Sequence, residues 1–299
     1  MDISQLRGII PPLATPLHDD GTLNTGAIAA LVEHVLAAGV HAVFATGSQG
    51  EAFALSAGEK RQVLDATLAA VNGRVPVMAG TGAITTRDAV ALSRAAESAG
   101  ADCLSVITPY FVTPTQDELY AHYAEVASAV SIPVLAYSNP SRTGGVRLTA
   151  ETLARLAADC PNIVGVKDSG GDLAETAAMI RACPPGFRVF VGRDSLLYGG
   201  LCYGAVGTVA LSANLVPELF VGVYEAFGAG DHARARALQD RITLLREALP
   251  GVGSYPAPVK AGLALLGVPV GPPRRPILPL NAAQIERLRA LLRQVGKDV

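Results

Sequence analysis

Short apolar, β-branched runs alternate along this chain with longer segments in which apolar residues recur every three to four positions. The short runs fall at residues 8–14, 42–45, 75–79, 103–107, 134–137, 163–169, 188–191 and 204–211. They read as strands buried on both faces. Helix signals lie between them. Ser56-x-x-Glu59 and Thr115-x-x-Glu118 are capping boxes, Thr85 caps a helix that stops at Gly100, and residues 24–38, 150–158 and 195–201 carry further helical patterns. Regular alternation of strand and helix implies a parallel sheet, and eight strands close it without edges. The pattern therefore predicts an α/β protein, a (β/α)8 TIM barrel. An open doubly wound sheet is the runner-up, but Gly80-x-Gly82 lacks the third glycine of a dinucleotide fingerprint. After residue 214 the strands cease, and helical patterns follow at 217–227, 232–249, 257–266 and 282–292. The expected division is a catalytic barrel over residues 1–230 and a C-terminal helical extension over residues 231–299.

The sixth run, Ile163-Val164-Gly165-Val166-Lys167-Asp168-Ser169, drives a lysine into apolar surroundings and stops in Gly170-Gly171. Strict alternation puts Ile163, Gly165 and Lys167 on one face, Val164 and Val166 on the other, and leaves Gly165 as room beside the lysine stem. Burial of an ammonium disfavours its charged form and frees the amine to attack a ketone as a Schiff-base nucleophile. A lysine snorkelling from a strand end is the competing explanation.

Composition narrows the class of partner. Hydrophobic residues make up 50% of the 299 and charged residues 17%, too little charge to spread over a large surface, so some surface is expected to be covered in an oligomer. A formal charge of −2 without a basic block, and 5% aromatic residues, argue against nucleic acid and a polybasic membrane surface. A small molecule is the expected partner. No run has the length of a membrane span or the form of a signal peptide, so a cytoplasmic protein is expected. Cys103, Cys160, Cys183 and Cys202 form no C-x-x-C pair and read as buried free thiols; the five histidines show no ligand spacing, and no metal is expected.

In a barrel the strand ends converge on one site. Lys167, Tyr137 and the Gly47-Ser48-Gln49-Gly50 loop all lie at such ends. Together they supply a nucleophile, a proton donor and acceptor, and a nest of amides for a carboxylate. Those motifs, with Thr108-Pro109-Tyr110, Pro140, Thr143-Gly144, Gly192 and Gly204-Ala205-x-Gly207, run in order through nearly the whole chain. In this the chain resembles the dihydrodipicolinate synthase / N-acetylneuraminate lyase family. The resemblance implies a barrel with a C-terminal helical region, usually a homotetramer built as a dimer of dimers, that binds pyruvate as a lysine imine with no cofactor. It implies Lys167 as the Schiff-base lysine, Tyr137 as the proton shuttle, Ser48 and Gln49 as holders of the pyruvate carboxylate, and Val209 as a wall of the pyruvate pocket. Arg142 matches the arginine that grips the carboxylate of aspartate semialdehyde in the synthases, a task suited to a guanidinium fork.

Two departures bear on the acceptor. The synthases carry two threonines where this chain has Ser48-Gln49, and a second tyrosine, reaching across a dimer to complete a proton relay, where this chain has Phe111. The Lys167-Asp168-Ser169-Gly170-Gly171-Asp172 stretch is more similar to aldolases of 4-hydroxy-2-oxoglutarate or 2-keto-3-deoxy sugar acids; Asp168 and Asp172 themselves read as helix-capping residues. The expected function is a pyruvate-dependent class I lyase of that type. The alternatives are 4-hydroxy-tetrahydrodipicolinate synthase and a non-catalytic barrel that binds an oxo acid.

Overall fold

The structure is a computed structural model describing residues 3–299. Its eight strands are β1 (Gly8–Ile9), β2 (Val43–Ala45), β3 (Val77–Gly80), β4 (Cys103–Ile107), β5 (Val134–Ser138), β6 (Ile163–Asp168), β7 (Arg188–Val191) and β8 (Gly207–Thr208), all paired in parallel in the order β1-β8-β7-β6-β5-β4-β3-β2. The remaining seam closes through Phe44, whose N–H donates to Pro11 O and whose carbonyl accepts from Leu13 N, around a Pro12–Phe44 bridge. Pro11 and Pro12 have no N–H to give, so the apolar run 8–14 forms a regular ladder over its first two residues only. The run 204–211 shortens similarly because Gly204, at φ 100°, ends the preceding helix.

Seven helices separate or follow the strands as α1 (Ile28–Leu36), α2 (Ala57–Val71), α3 (Thr86–Ala99), α4 (Gln116–Ser128), α5 (Ala150–Asp159), α6 (Leu173–Ala182) and α7 (Leu197–Tyr203). Both capping boxes form: Ser56 and Thr115 accept from the N–H groups of Glu59 and Glu118, whose carboxylates reach back. Helix α6 has no clear apolar stripe in sequence, and its start is marked by Asp172, which accepts from Ala174 N at 2.7 Å. Then come α8 (Pro217–Gly228), α9 (His232–Val252), α10 (Ala257–Leu265) and α11 (Ala282–Gln294). Helix α9 lies on α8, and Leu245, Leu249, Leu263 and Leu288 join the same apolar cluster as the barrel's outer residues. No helix among the described residues is long and apolar enough to cross a membrane. Cys103, Cys160 and Cys183 are buried, whereas Cys202 is exposed on α7, correcting the expectation that all four are core residues.

A second, smaller cluster fills the barrel: Ile10, Phe44, Met78, Leu135, Phe190 and Val209 are among its members. The register places Tyr137, Lys167 and Phe190 side by side on β5, β6 and β7. Alternation along β6 is not strict. Val134 pairs with Ile163 but Leu135 pairs with Gly165, and this bulge turns Val164 toward the interior cluster while Val166 faces the helices. Gly165 serves the ladder rather than the lysine stem, since a Cβ there would lie 2.2 Å from Arg188 O on β7.

Candidate active site

Lys167, Tyr137, Ser48, Gln49, Arg142 and Val209 line one cavity of roughly 300 Å³ at the C-terminal ends of the strands. Lys167 is only 4% exposed. Its Nζ lies 4.0 Å from the centroid of the Tyr137 ring and 5.1 Å from that of Phe44, so aromatic faces stand where a carboxylate would otherwise be needed. Tyr137 is buried, and its hydroxyl accepts from Asn139 Nδ2 at 2.7 Å. Burial pushes its phenol up, but the Lys167 ammonium together with hydrogen bonds from Asn139, Ser169 and Lys167 outweighs burial and holds it below the ordinary tyrosine value. A phenol eased toward phenolate beside an amine can exchange protons with it.

Across the barrel, β2 ends in a strained loop. Thr46 sits at φ 56°, a region costly for a β-branched residue, with its hydroxyl fixed against Ala45 O, Gly80 O and Gly80 N. Gly80 is required there, since a Cβ would come 2.2 Å from Thr46 O. The turn leaves donors without acceptors. Among the described residues neither the Ser48 nor the Gln49 backbone N–H donates to protein, and the buried Gln49 Nε2 also has no partner. Three unpaired donors on one side of a cavity suit a carboxylate.

The far end of this loop is anchored by charge. Glu51, at φ 56°, places its carboxylate 2.9 Å from Lys260 Nζ on α10, and its other oxygen accepts from Arg274 N at 2.7 Å. Lys260 also donates to Thr15 O and Pro272 O; burial lowers its pKa, against the opposing pull of Glu51.

Some residues of the cavity were missed in the sequence. Asn139 and Ser169 stand two positions beyond Tyr137 and Lys167, just past the ends of β5 and β6, a spacing that marks them. Arg193 follows β7 as the strand-end rule anticipates. Arg246 and Tyr255 come from α9 and the turn before α10, and no local signal announces how those helices dock. Asp168 and Asp172 are outside the cavity: Asp168 accepts from Gly170 N and Thr176 Oγ1, tying the β6 loop to α6. Phe111 is also outside it, 94% exposed at φ 73°. No group of three or more His, Cys, Asp or Glu among the described residues is placed to hold a metal ion.

Its family, rather than the barrel alone, defines the chain as an enzyme of the lyase class. The family model of the dihydrodipicolinate synthetase family matches residues 5–295, and the chain belongs to that family. It is 40% identical over 293 residues to a 4-hydroxy-tetrahydrodipicolinate synthase of Methanopyrus kandleri, covering 98% of this chain and 97% of the relative. It is 41% identical over 291 residues to an uncharacterised DapA-like lyase of Halobacterium salinarum, covering 97% and 94%. Among solved structures it is similar to YagE, a prophage protein of the dihydrodipicolinic acid synthase family from E. coli K12 in complex with pyruvate, with a TM-score of 0.92, 32% identity, and coverage of 97% and 98%.

Proposed function

We propose that the protein is a class I, Schiff-base-forming lyase that makes or breaks a carbon–carbon bond between pyruvate and an aldehyde. Its substrate would be of the 4-hydroxy-2-oxoglutarate or 2-keto-3-deoxy sugar acid type. The observation that carries this reading is a buried amine, Lys167 Nζ, against the Tyr137 ring in a cavity whose opposite side offers unpaired donors.

The substrate carboxylate accepts from the Ser48 and Gln49 amides, presenting its ketone to Lys167. Acting as its phenolate, Tyr137 takes a proton from the ammonium, and the freed amine adds to the carbonyl carbon. Tyr137 then delivers that proton to the carbinolamine hydroxyl, and water leaves as the imine forms. In the cleavage direction, the Tyr137 phenolate takes the proton of the C4 hydroxyl as the C3–C4 bond breaks. An aldehyde leaves, the electron pair passes into an enamine, and protonation and hydrolysis release pyruvate. Val209 walls the pocket beside the methyl group.

The second reading is 4-hydroxy-tetrahydrodipicolinate synthase, supported by the Methanopyrus kandleri relative and by Arg142 at the cavity. Against it stand Ser48-Gln49 in place of two threonines and Phe111 in place of the relay tyrosine. We also propose a cytoplasmic homotetramer built as a dimer of dimers, because Phe53, Ile84, Phe111 and Val112 are exposed apolar residues that a second copy would cover.

The test is borohydride reduction with pyruvate followed by mass measurement, with pyruvate release from a panel of 2-oxo acids beside condensation with aspartate semialdehyde. The expected result is a stable adduct on the wild type and none on a folded Lys167→Ala variant, which also loses turnover. Trapping that survives in Lys167→Ala moves the nucleophile elsewhere; binding of pyruvate without trapping makes the barrel a non-catalytic binder.

A further inference from the structure

Lys167 is buried without a carboxylate. Among the described residues it enters no ion pair, and no Asp or Glu lines the cavity. The charge of its ammonium has to be met from within the site, and the group against it is the Tyr137 ring at 4.0 Å. A phenolate there meets that charge outright. A second buried tyrosine shows what happens without such an arrangement: Tyr123 donates its hydroxyl to Val106 O at 2.8 Å, and burial pushes its phenol up. Tyr137 is equally buried, but its oxygen accepts, and it is held below the ordinary value.

The donor to that oxygen is placed with little freedom. Pro140 disfavours the helical conformation at Asn139, and just past β5 the Asn139 amide returns to the side of Tyr137, with Nδ2 2.7 Å from the hydroxyl. The Asn139 carbonyl accepts from Arg142 N at 2.9 Å and from Thr143 Oγ1 at 3.0 Å, which pins the backbone. On the side chain, Ser141 Oγ donates to Asn139 Oδ1 at 2.8 Å. With the oxygen end taken by Ser141, the amide offers the phenol oxygen a donor and no acceptor. An amide neither gives up nor takes a proton in the working pH range. Asn139 therefore passes nothing along; it favours the state of Tyr137 that has no proton to donate.

We propose that Asn139, oriented by Ser141, is a positioning residue that keeps Tyr137 as a phenolate facing the Lys167 ammonium, so that one proton moves between these two groups and no tyrosine is needed at position 111. In imine formation the proton leaves Lys167 Nζ for the Tyr137 oxygen and goes on to the carbinolamine hydroxyl, which departs as water. The imine keeps one proton on nitrogen, and Tyr137 is again a phenolate beside Asn139. This rests on the Schiff-base reading and names the residue that sets its acid–base state. The charged and titratable groups around Tyr137 are Lys167 on β6 and, elsewhere in the cavity, Arg142, Arg193, Arg246 and Tyr255; its partner on β4, Ile107, is apolar.

The test is an ultraviolet titration of tyrosinate in the ligand-free protein, each sample read against the same protein carrying Tyr137→Phe, beside the pH profile of kcat/KM for pyruvate release. Removing a donor from the phenolate raises the pH at which it forms. In Asn139→Leu the Tyr137 midpoint should therefore rise by about one pH unit or more, the size of one hydrogen bond to a charged group. The acid limb of kcat/KM should move up with it, whereas a merely structural role lowers activity and moves neither. Ser141→Ala, at an exposed position where folding is not at issue, should move both in the same direction by less. A midpoint that stays or falls in Asn139→Leu, or in Ser141→Ala where that first variant does not fold, overturns the proposal, because the amide then presents its oxygen to a neutral phenol. The titration needs no substrate. If pyruvate is never trapped by borohydride, the Schiff-base reading fails while the midpoints still decide the role of Asn139.

Discussion

Glu51 and Lys260 meet at 2.9 Å with neither side chain more than 1% exposed, joining the β2 loop to a helix far along the chain. Each charge offsets the other, with Arg274 N–H donating to Glu51 and the Thr15 and Pro272 carbonyls accepting from Lys260. Lys260→Met leaves Glu51 buried and unpaired and is expected to cost roughly 3–5 kcal/mol of stability. Glu51→Leu combined with Lys260→Met should cost much less than the two single changes together. Urea denaturation of the four proteins measures this. Because Glu51 ends the loop that carries Ser48 and Gln49, KM for the 2-oxo acid should rise in Lys260→Met more than kcat falls.

Acid should weaken a second ion pair. The Arg274 guanidinium, together with the Ser56 N–H, holds the Glu59 carboxyl down at about 2, against an ordinary 4.5. The folded state therefore gains from ionised Glu59 at every pH above about 4.5, and loses that gain as pH falls from there toward 2. The linkage limit is about 3 kcal/mol. With the two side chains 27% and 22% exposed, solvent screening reduces the expected loss to roughly 1–2 kcal/mol. Thermal melts between pH 6 and 3 should fall more steeply for the wild type than for Glu59→Gln.

Gly165 predicts an intolerant position. A methyl group there must displace the backbone of β7, not a flexible side chain, because the nearest atom is Arg188 O at 2.2 Å. Gly165→Ala should cost on the order of 3 kcal/mol, at the upper end of overpacking effects. Since Lys167 and Phe190 are the next interior pair on those strands, kcat should drop as well. A melting temperature and kcat equal to the wild type would show that the two strands can part without consequence.

Phe111 separates the two candidate acceptors. It is 94% exposed and outside the cavity of its own chain, so a hydroxyl there acts only on a partner copy. For an aldolase of hydroxylated 2-oxo acids, Phe111→Tyr should leave kcat for cleavage within about twofold. For a synthase that lacks its relay, the same change should raise the condensation rate by a substantial part of the roughly 10²- to 10⁴-fold that an acid–base group supplies. Measuring kcat for both reactions decides between them. Rapid condensation by the wild type with no gain in the variant returns the synthase reading to the front.

The barrel was legible because its strands are short apolar runs punctuated by turn chemistry, and the capping boxes at Ser56 and Thr115 marked helix starts locally. The extent of β1 was not, because Pro11 and Pro12 remain apolar while removing ladder donors. The bulge at Val164 was equally silent: a register shift depends on the neighbouring strand rather than on the run itself. At the cavity, Lys167, Tyr137, Ser48 and Gln49 could be gathered from strand ends, and Arg142 and Val209 from the family resemblance. Arg246 and Tyr255 could not, since helix docking is decided by packing between distant segments. Local periodicity carries no record of which faces meet.

The buried pair that ties the β2 loop to α10 also imposes an order on biosynthesis. Glu51 emerges from the ribosome long before Lys260, so its carboxylate must stay hydrated while most of the barrel is being made. Until the C-terminal helices arrive, the amides of Ser48 and Gln49 lack their anchor. The cavity is therefore finished late, and a nascent chain halted before residue 260 would hold the lysine strand without a finished place to seat its substrate.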